Sequence, residues 1–106
     1  MAEHITVLTT TDSREDAEQL ATSAVEARLA ACAQIDGPVT SVYWWEGSVR
    51  TDQEWRVLYK TPAAKYDALE AHIRGVHAYE TPEIIATEIT RGSAAYLQWL
   101  HQETSS

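Results

Sequence analysis

The run over residues 39–45 restricts the possible folds more than any other segment of this chain. Val39, Ser41, Tyr43 and Trp45 alternate with Thr40, Val42 and Trp44, so a strand here carries bulk on both of its faces. A strand that is apolar on both sides is normally covered on both sides. The chain has 106 residues, room for one domain spanning 1–106 and for too few helices to supply both covers. Further copies of the chain are the natural cover, which makes self-association part of the fold argument from the outset.

The remaining elements follow from periodicity and punctuation. Residues 5–10 (Ile-Thr-Val-Leu-Thr-Thr) are rich in β-branched side chains and read as a buried strand. Asp12 and Glu15 have the spacing of a capping box, and Ala17, Leu20, Ala21, Ala24, Val25 and Leu29 recur at helical spacing. The first helix is thus expected over 12–29. A strand at 31–35 meets a bulge or break at Asp36-Gly37-Pro38, because Pro38 cannot donate to a ladder, and continues through 39–45. A turn at 46–48 leads to a returning strand expected over 54–60. Thr61-Pro62 reads as an N-cap followed by proline at the first helical position, with Tyr66, Leu69, Ile73 and Val76 as the core stripe and Gly75 placed to end the helix. A fourth strand is expected over 84–89. Gly92-Ser93 then starts a short last helix, and residues 102–106 are expected to fray.

The order β-α-β-β-α-β plus a C-terminal helix is the ferredoxin-like α+β sandwich, here with a long hairpin between its second and third strands. Both main helices then share one sheet face and the other is left bare. The four Trp and five Tyr, with no Phe, suit half-wet interfaces as much as dry cores. Tyr43, Trp44, Trp45 and Trp55 are therefore the expected interface residues.

A formal net charge of −8 disfavours nucleic acid and anionic membranes as partners. Cys32 is the single cysteine, so neither an intrachain disulfide nor a CxxC motif is possible. No run approaches the ~18 apolar residues of a spanning helix, and the first residues lack the pattern of a signal peptide. The expected setting is the cytoplasm.

Chemistry concentrates at residues 77–85, where His77, Tyr79, Glu80 and Glu83 crowd one turn that feeds an apolar strand. For a divalent metal, Cu(II) foremost, the candidate ligands are His77, Glu80, Glu83 and Cys32. Against this, Cys32 beside Ala31 and Ala33 also reads as a small buried hydrophobe, and His77 as a partner of backbone groups. Lys60, Tyr43 and Tyr79 are candidates for a cleft holding a small anionic molecule; Lys60 equally reads as a strand-end cation lying over an aromatic ring. His4, His72 and His101 read as surface residues. No nucleophile elbow, phosphate loop or dinucleotide fingerprint is present, and neither enzymatic activity nor an organic cofactor is expected.

The chain resembles the CutA family of divalent-cation tolerance proteins over nearly its whole length. The resemblance is carried by Thr9-Thr10, by Leu29-Ala30-Ala31-Cys32-Ala33 and by Ser41-Val42-Tyr43-Trp44-Trp45-Glu46-Gly47. It continues through Glu54, Lys60-Thr61, His77-Ala78-Tyr79-Glu80-Thr81-Pro82-Glu83-Ile84 and Tyr96-Leu97-Gln98-Trp99. It implies a ferredoxin-like subunit, a tight homotrimer, and a role in tolerance of copper and other divalent cations. Ala78 and Thr81 stand where the family usually has Pro and Val, and Trp44 fills a position that is often polar. These departures keep the potential ligands and loosen the turn.

Overall fold

The computed structural model describes residues 2–105; Met1 and Ser106, the ends of the expected 1–106 domain, lie outside the described residues. Its elements run β1 (His4–Thr11), α1 (Arg14–Glu26), β2 (Cys32–Trp45), β3 (Ser48–Pro62), a 3-10 turn (Ala63–Lys65), α2 (Tyr66–Val76), β4 (Ile85–Glu88) and α3 (Ala94–Thr104). The four strands form one sheet in the order β2-β3-β1-β4, with every neighbouring pair antiparallel. This is the expected ferredoxin-like α+β subunit with its extra C-terminal helix.

Side-chain alternation builds the core. Ile5 and Val7 of β1 and Val57 and Tyr59 of β3 face one side of the sheet. There they meet Ala17, Leu20, Ala21 and Ala24 of α1 and Leu69 and Ile73 of α2. Tyr59 is fully buried, and its hydroxyl donates to the Leu20 carbonyl at 2.9 Å, so the one polar atom it brings into the core is satisfied.

Several boundaries differ from the sequence reading. The N-cap of α1 is Ser13 rather than Asp12, its hydroxyl accepting from the Asp16 amide at 3.0 Å. The helix stops at Glu26, not 29, because Arg28 adopts φ 63°. Leu29 and Arg28 then donate to the carbonyls of Ala24 and Val25, each at 3.0 Å, the closing pattern of a Schellman motif. Thr61-Pro62 does not open α2. Thr61 is buried at the end of β3 with its hydroxyl on the Leu29 carbonyl at 2.8 Å, and α2 begins only at Tyr66. Gly75 lies within the last turn of α2, which ends at Val76. β4 is confined to Ile85–Glu88, one residue shorter at each end than expected. At the other terminus α3 persists to Thr104, whose buried hydroxyl bonds the Leu100 carbonyl at 2.8 Å, so the expected fraying from 102 does not occur within the described residues.

The second sheet face is not wholly bare. By alternation Lys60 points away from Tyr59 and the core, and its Nζ lies 6.0 Å from the centroid of the Tyr96 ring on α3. His4 and His101 meet edge to face at 4.7 Å on the same side. His4 is therefore buried rather than a surface residue, and His72 is half-buried with its ring bonded to Ser23 at 2.8 Å.

The hairpin is longer than expected, since β3 begins at Ser48. Trp45 and Ser48 pair across a two-residue turn in which Glu46 has φ 49° and Gly47 φ 81°, the left-handed pair that matches strand twist. β2 runs unbroken to this turn, with a register shift between Asp36 and Val39. The arm projects past the helices and gives the subunit extents of 45 × 25 × 22 Å. On it Val42 (65%), Trp44 (74%) and Val49 (56%) are exposed. Trp55, nearer the base, is half-buried against the subunit's own core.

Candidate functional site

The residues at 77–84 leave α2 and fold back over the base of the hairpin before β4 begins. Between this turn and the arm lies a cleft of about 620 Å³, lined by residues that include Tyr43, Arg50, Glu54, Tyr79, Glu80 and Glu83. Two phenols shape its walls. The Tyr79 hydroxyl donates to Glu54 Oε2 at 2.8 Å, joining the turn to β3. The Tyr43 hydroxyl donates to Asp52, a contact allowed because Ser41 pairs with Asp52 and Tyr43 with Arg50, which sets Tyr43 and Asp52 on a diagonal of the ladder. Burial, and then the bond to Glu54, push the Tyr79 phenol well above its ordinary value. The bond to Asp52 is the main cause of the upward shift at Tyr43. Both phenols therefore stay neutral donors to carboxylates throughout the physiological range.

His77 anchors the turn. Its Nε2 lies 2.8 Å from the Thr10 carbonyl at the end of β1, and its Nδ1 accepts from the Tyr79 amide at 3.0 Å. The turn is held at its start despite Ala78 and Thr81, so the loosening expected from those residues is offset by the imidazole.

The sequence-based candidates divide into two groups. Tyr43, Tyr79, Glu80 and Glu83 line one cleft. Cys32 and Lys60 pair with each other across β2 and β3, six residues along β3 from Glu54, or about 20 Å at the rise of a strand. Within one subunit Cys32 is therefore not beside His77, nor Lys60 beside Tyr43. Cys32 is half-buried and close to Tyr96. Among the described residues no group of three or more His, Cys, Asp or Glu side chains converges as a metal cage. The cleft residues that sequence reasoning missed as site residues are Arg50 and Glu54. Their signal was the register of the hairpin, which places both beneath the turn.

The lining carries Glu54, Glu80 and Glu83 against the single cation Arg50. Such an excess of carboxylates attracts cations and repels anions. Among the described residues no helix is long and apolar enough to cross a membrane.

Known proteins share this architecture and much of the sequence. The chain is 42% identical over 100 residues to the chloroplastic protein CutA 1 of Oryza sativa subsp. japonica, an alignment covering 94% of this chain. It spans little more than half of that rice relative, 56% of its length. It is also 42% identical over 98 residues to the divalent-cation tolerance protein CutA of Thermus thermophilus, covering 92% of this chain and 95% of that one. The crystal structure of CutA1 from Oryza sativa superposes with a TM-score of 0.95 at 40% identity, covering 99% of this chain and 96% of that chain. The family model described as CutA1 divalent ion tolerance protein matches residues 5–103, and with the fold, the hairpin and the 77–83 turn all in agreement, the chain belongs to the CutA1 family.

Proposed function

We propose that this chain is a divalent-cation tolerance protein that acts as a homotrimer in the cytoplasm and takes up divalent cations at the acidic cleft between the 77–83 turn and the hairpin. The observation that carries this reading is the lining: Glu54, Glu80 and Glu83 face a cavity containing one guanidinium. The divalent-cation tolerance named for the Thermus relative supports the same role here. Among the described residues no three-ligand cage is built within one chain, so on this reading the cation is an exchangeable cargo, partly hydrated and completed by donors from a neighbouring copy. Copper leads the candidate ions, since Cu(II) binds most tightly of the first-row divalent metals to almost any donor set. The role is binding, with no bond made or broken.

The trimer is supported by the arm, where Val42, Trp44 and Val49 remain mostly exposed, with no second layer of their own chain to cover them. An anionic small molecule has less support, because Lys60 lies outside the cleft and the cleft is acidic. A scaffold without any ligand predicts no response to metal.

Calorimetric titration with Cu(II) and Zn(II) tests the reading. Glu80→Gln/Glu83→Gln should weaken binding at least tenfold, as removal of two carboxylate charges requires. Unchanged affinity in that variant rejects the cleft as the cation site.

A further inference from the structure

We infer that His77 is a positioning residue and not a metal ligand: it is held as the Nε2–H tautomer between two backbone groups, it fixes the 77–83 turn over the cleft, and it leaves the cleft with oxygen donors only. This deepens the cation-binding reading of the cleft and rests on it.

The tautomer follows from the partners alone. The Thr10 carbonyl 2.8 Å from Nε2 has no proton to give, so Nε2 must carry one. The Tyr79 amide 3.0 Å from Nδ1 can only donate, so Nδ1 must present its lone pair. Each nitrogen has one role and both roles are taken. A metal at Nδ1 would displace the Tyr79 amide, and a metal at Nε2 would displace a proton already bonded to Thr10.

These two bonds set the geometry of the cleft. Thr10 is one of the last two residues of β1, 67 residues before His77 in the chain, and the imidazole joins it to the turn. The Tyr79 ring lies 4.8 Å from the His77 ring, tilted by 47°, and passes the connection to Glu54 through its hydroxyl. Thr10, His77, Tyr79 and Glu54 thus form one series of bonds from β1 through the turn to β3, and Glu80 and Glu83 follow from where that series places the backbone. With His77 engaged and Cys32 far off at the start of β2, the side chains left to meet a cation are carboxylates and hydroxyls. Such an all-oxygen set holds divalent cations without soft ligands, and the order of affinity among first-row metals still places Cu(II) first.

The test is a long-range proton–nitrogen correlation spectrum of the imidazoles in the 15N-labelled protein, recorded before and during titration with Zn(II). His77 should show a protonated Nε2 and an unprotonated Nδ1, and neither shift should move as Zn(II) binds. The other tautomer, or a Zn(II)-dependent displacement of either His77 nitrogen, overturns the inference. Two variants supply the second readout. His77→Ala should lower Zn(II) affinity by roughly 10–100-fold, the usual cost of losing an orienting partner. His77→Gln, which offers one donor and one acceptor, should recover affinity to within about threefold of the parent. Equal loss in Gln and Ala, or no loss in either, rejects the positioning role. If Zn(II) does not bind the parent protein at all, the cation reading of the cleft fails, while the tautomer in the metal-free spectrum still decides the state of His77.

Discussion

β2 and β3 run side by side for their whole length, yet their two ends live in different surroundings. Near the helices Val57 and Tyr59 are fully buried under α1 and α2. At the tip Val42, Trp44 and Val49 face solvent on strands with the same pairing and the same twist. The ladder hydrogen bonds are equivalent in kind at both ends, so they do not decide which end is stable by itself. What differs is the second layer. The base of the hairpin gains its stability from burial against helices, whereas the tip has only its own cross-strand pairs, and an isolated two-stranded ribbon is marginal in water. The comparison makes the base the seat of the chain's own stability and leaves the tip as the surface on which the proposed assembly depends.

The strongest way to break this division is to remove a core side chain beneath the base. Leu20 is 1% exposed and faces Tyr59 and the sheet from α1. Leu20→Ala should cost about 3 kcal/mol through lost burial and an unfilled cavity, read as a shift in the urea midpoint at constant slope. A loss below about 1 kcal/mol would mean that the core is not where stability resides. The next largest effect is expected at the joint between the two regions. Gly37 has φ 152°, and a Cβ there would lie 2.8 Å from Trp55 Cδ1 and 3.0 Å from the Glu54 carbonyl oxygen. Gly37→Ala should destabilise by about 2 kcal/mol from strain and crowding. Because Glu54 and Trp55 must shift to make room, the same variant should disturb the Tyr79–Glu54 bond and weaken cation binding in parallel, measurable by calorimetry.

How much of this was legible in the sequence depends on whether the signal is local. β1, with its run of β-branched residues, and the stripes of α1 and α2 could be read because their own side chains record what they bury. Residues 48–53 could not be recognised as strand: the tip is exposed on both sides, so no alternation is imposed on Val49, Arg50, Thr51 and Asp52. Thr61-Pro62 misled because a hydroxyl that caps a helix serves equally well on the Leu29 carbonyl at a strand end. The turn at 77–83 was visible as a concentration of functional groups, and four of the expected residues do line one cleft. Glu54 and Arg50 were not visible as their companions, since only the hairpin register brings them under the turn. Nor was the acceptor for His77, because a backbone carbonyl leaves no trace in the residue type at position 10.

A smaller effect tests the polar atom within the base. Tyr59→Phe removes the bond to the Leu20 carbonyl and should cost about 1 kcal/mol near neutral pH. The effect of alkali gives a second reading. Burial raises the folded-state pKa of this phenol above its ordinary 10.0, so the unfolded chain releases the proton first. The contribution is fully present below pH 10.0 and is lost as pH rises through and beyond that value towards the folded pKa. Denaturant titrations from pH 9 upward should therefore show stability falling, and Tyr59→Phe should flatten that fall. Tyr79 is shifted the same way but is partly exposed and should account for less of the slope. An alkaline limb unchanged in Tyr59→Phe would place the titrating group elsewhere.

The smallest effect on the subunit is expected from the most conspicuous side chain. Trp44 is 74% exposed and touches no core, so Trp44→Ala should alter the unfolding free energy of a lone subunit by less than about 0.5 kcal/mol. Its consequence should instead appear in sedimentation, as an assembled particle giving way to one of 11.8 kDa. The pair of measurements separates the two regions. Leu20→Ala should lower stability without removing any exposed surface, and Trp44→Ala should weaken the proposed assembly without touching the core. If Trp44→Ala instead destabilised a monomeric chain as severely as Leu20→Ala does, the tip would be part of the subunit's own folding unit. The exposed faces of the arm would then need an explanation within one chain, and the proposal that a neighbouring copy completes a cation site at the cleft would fail with it.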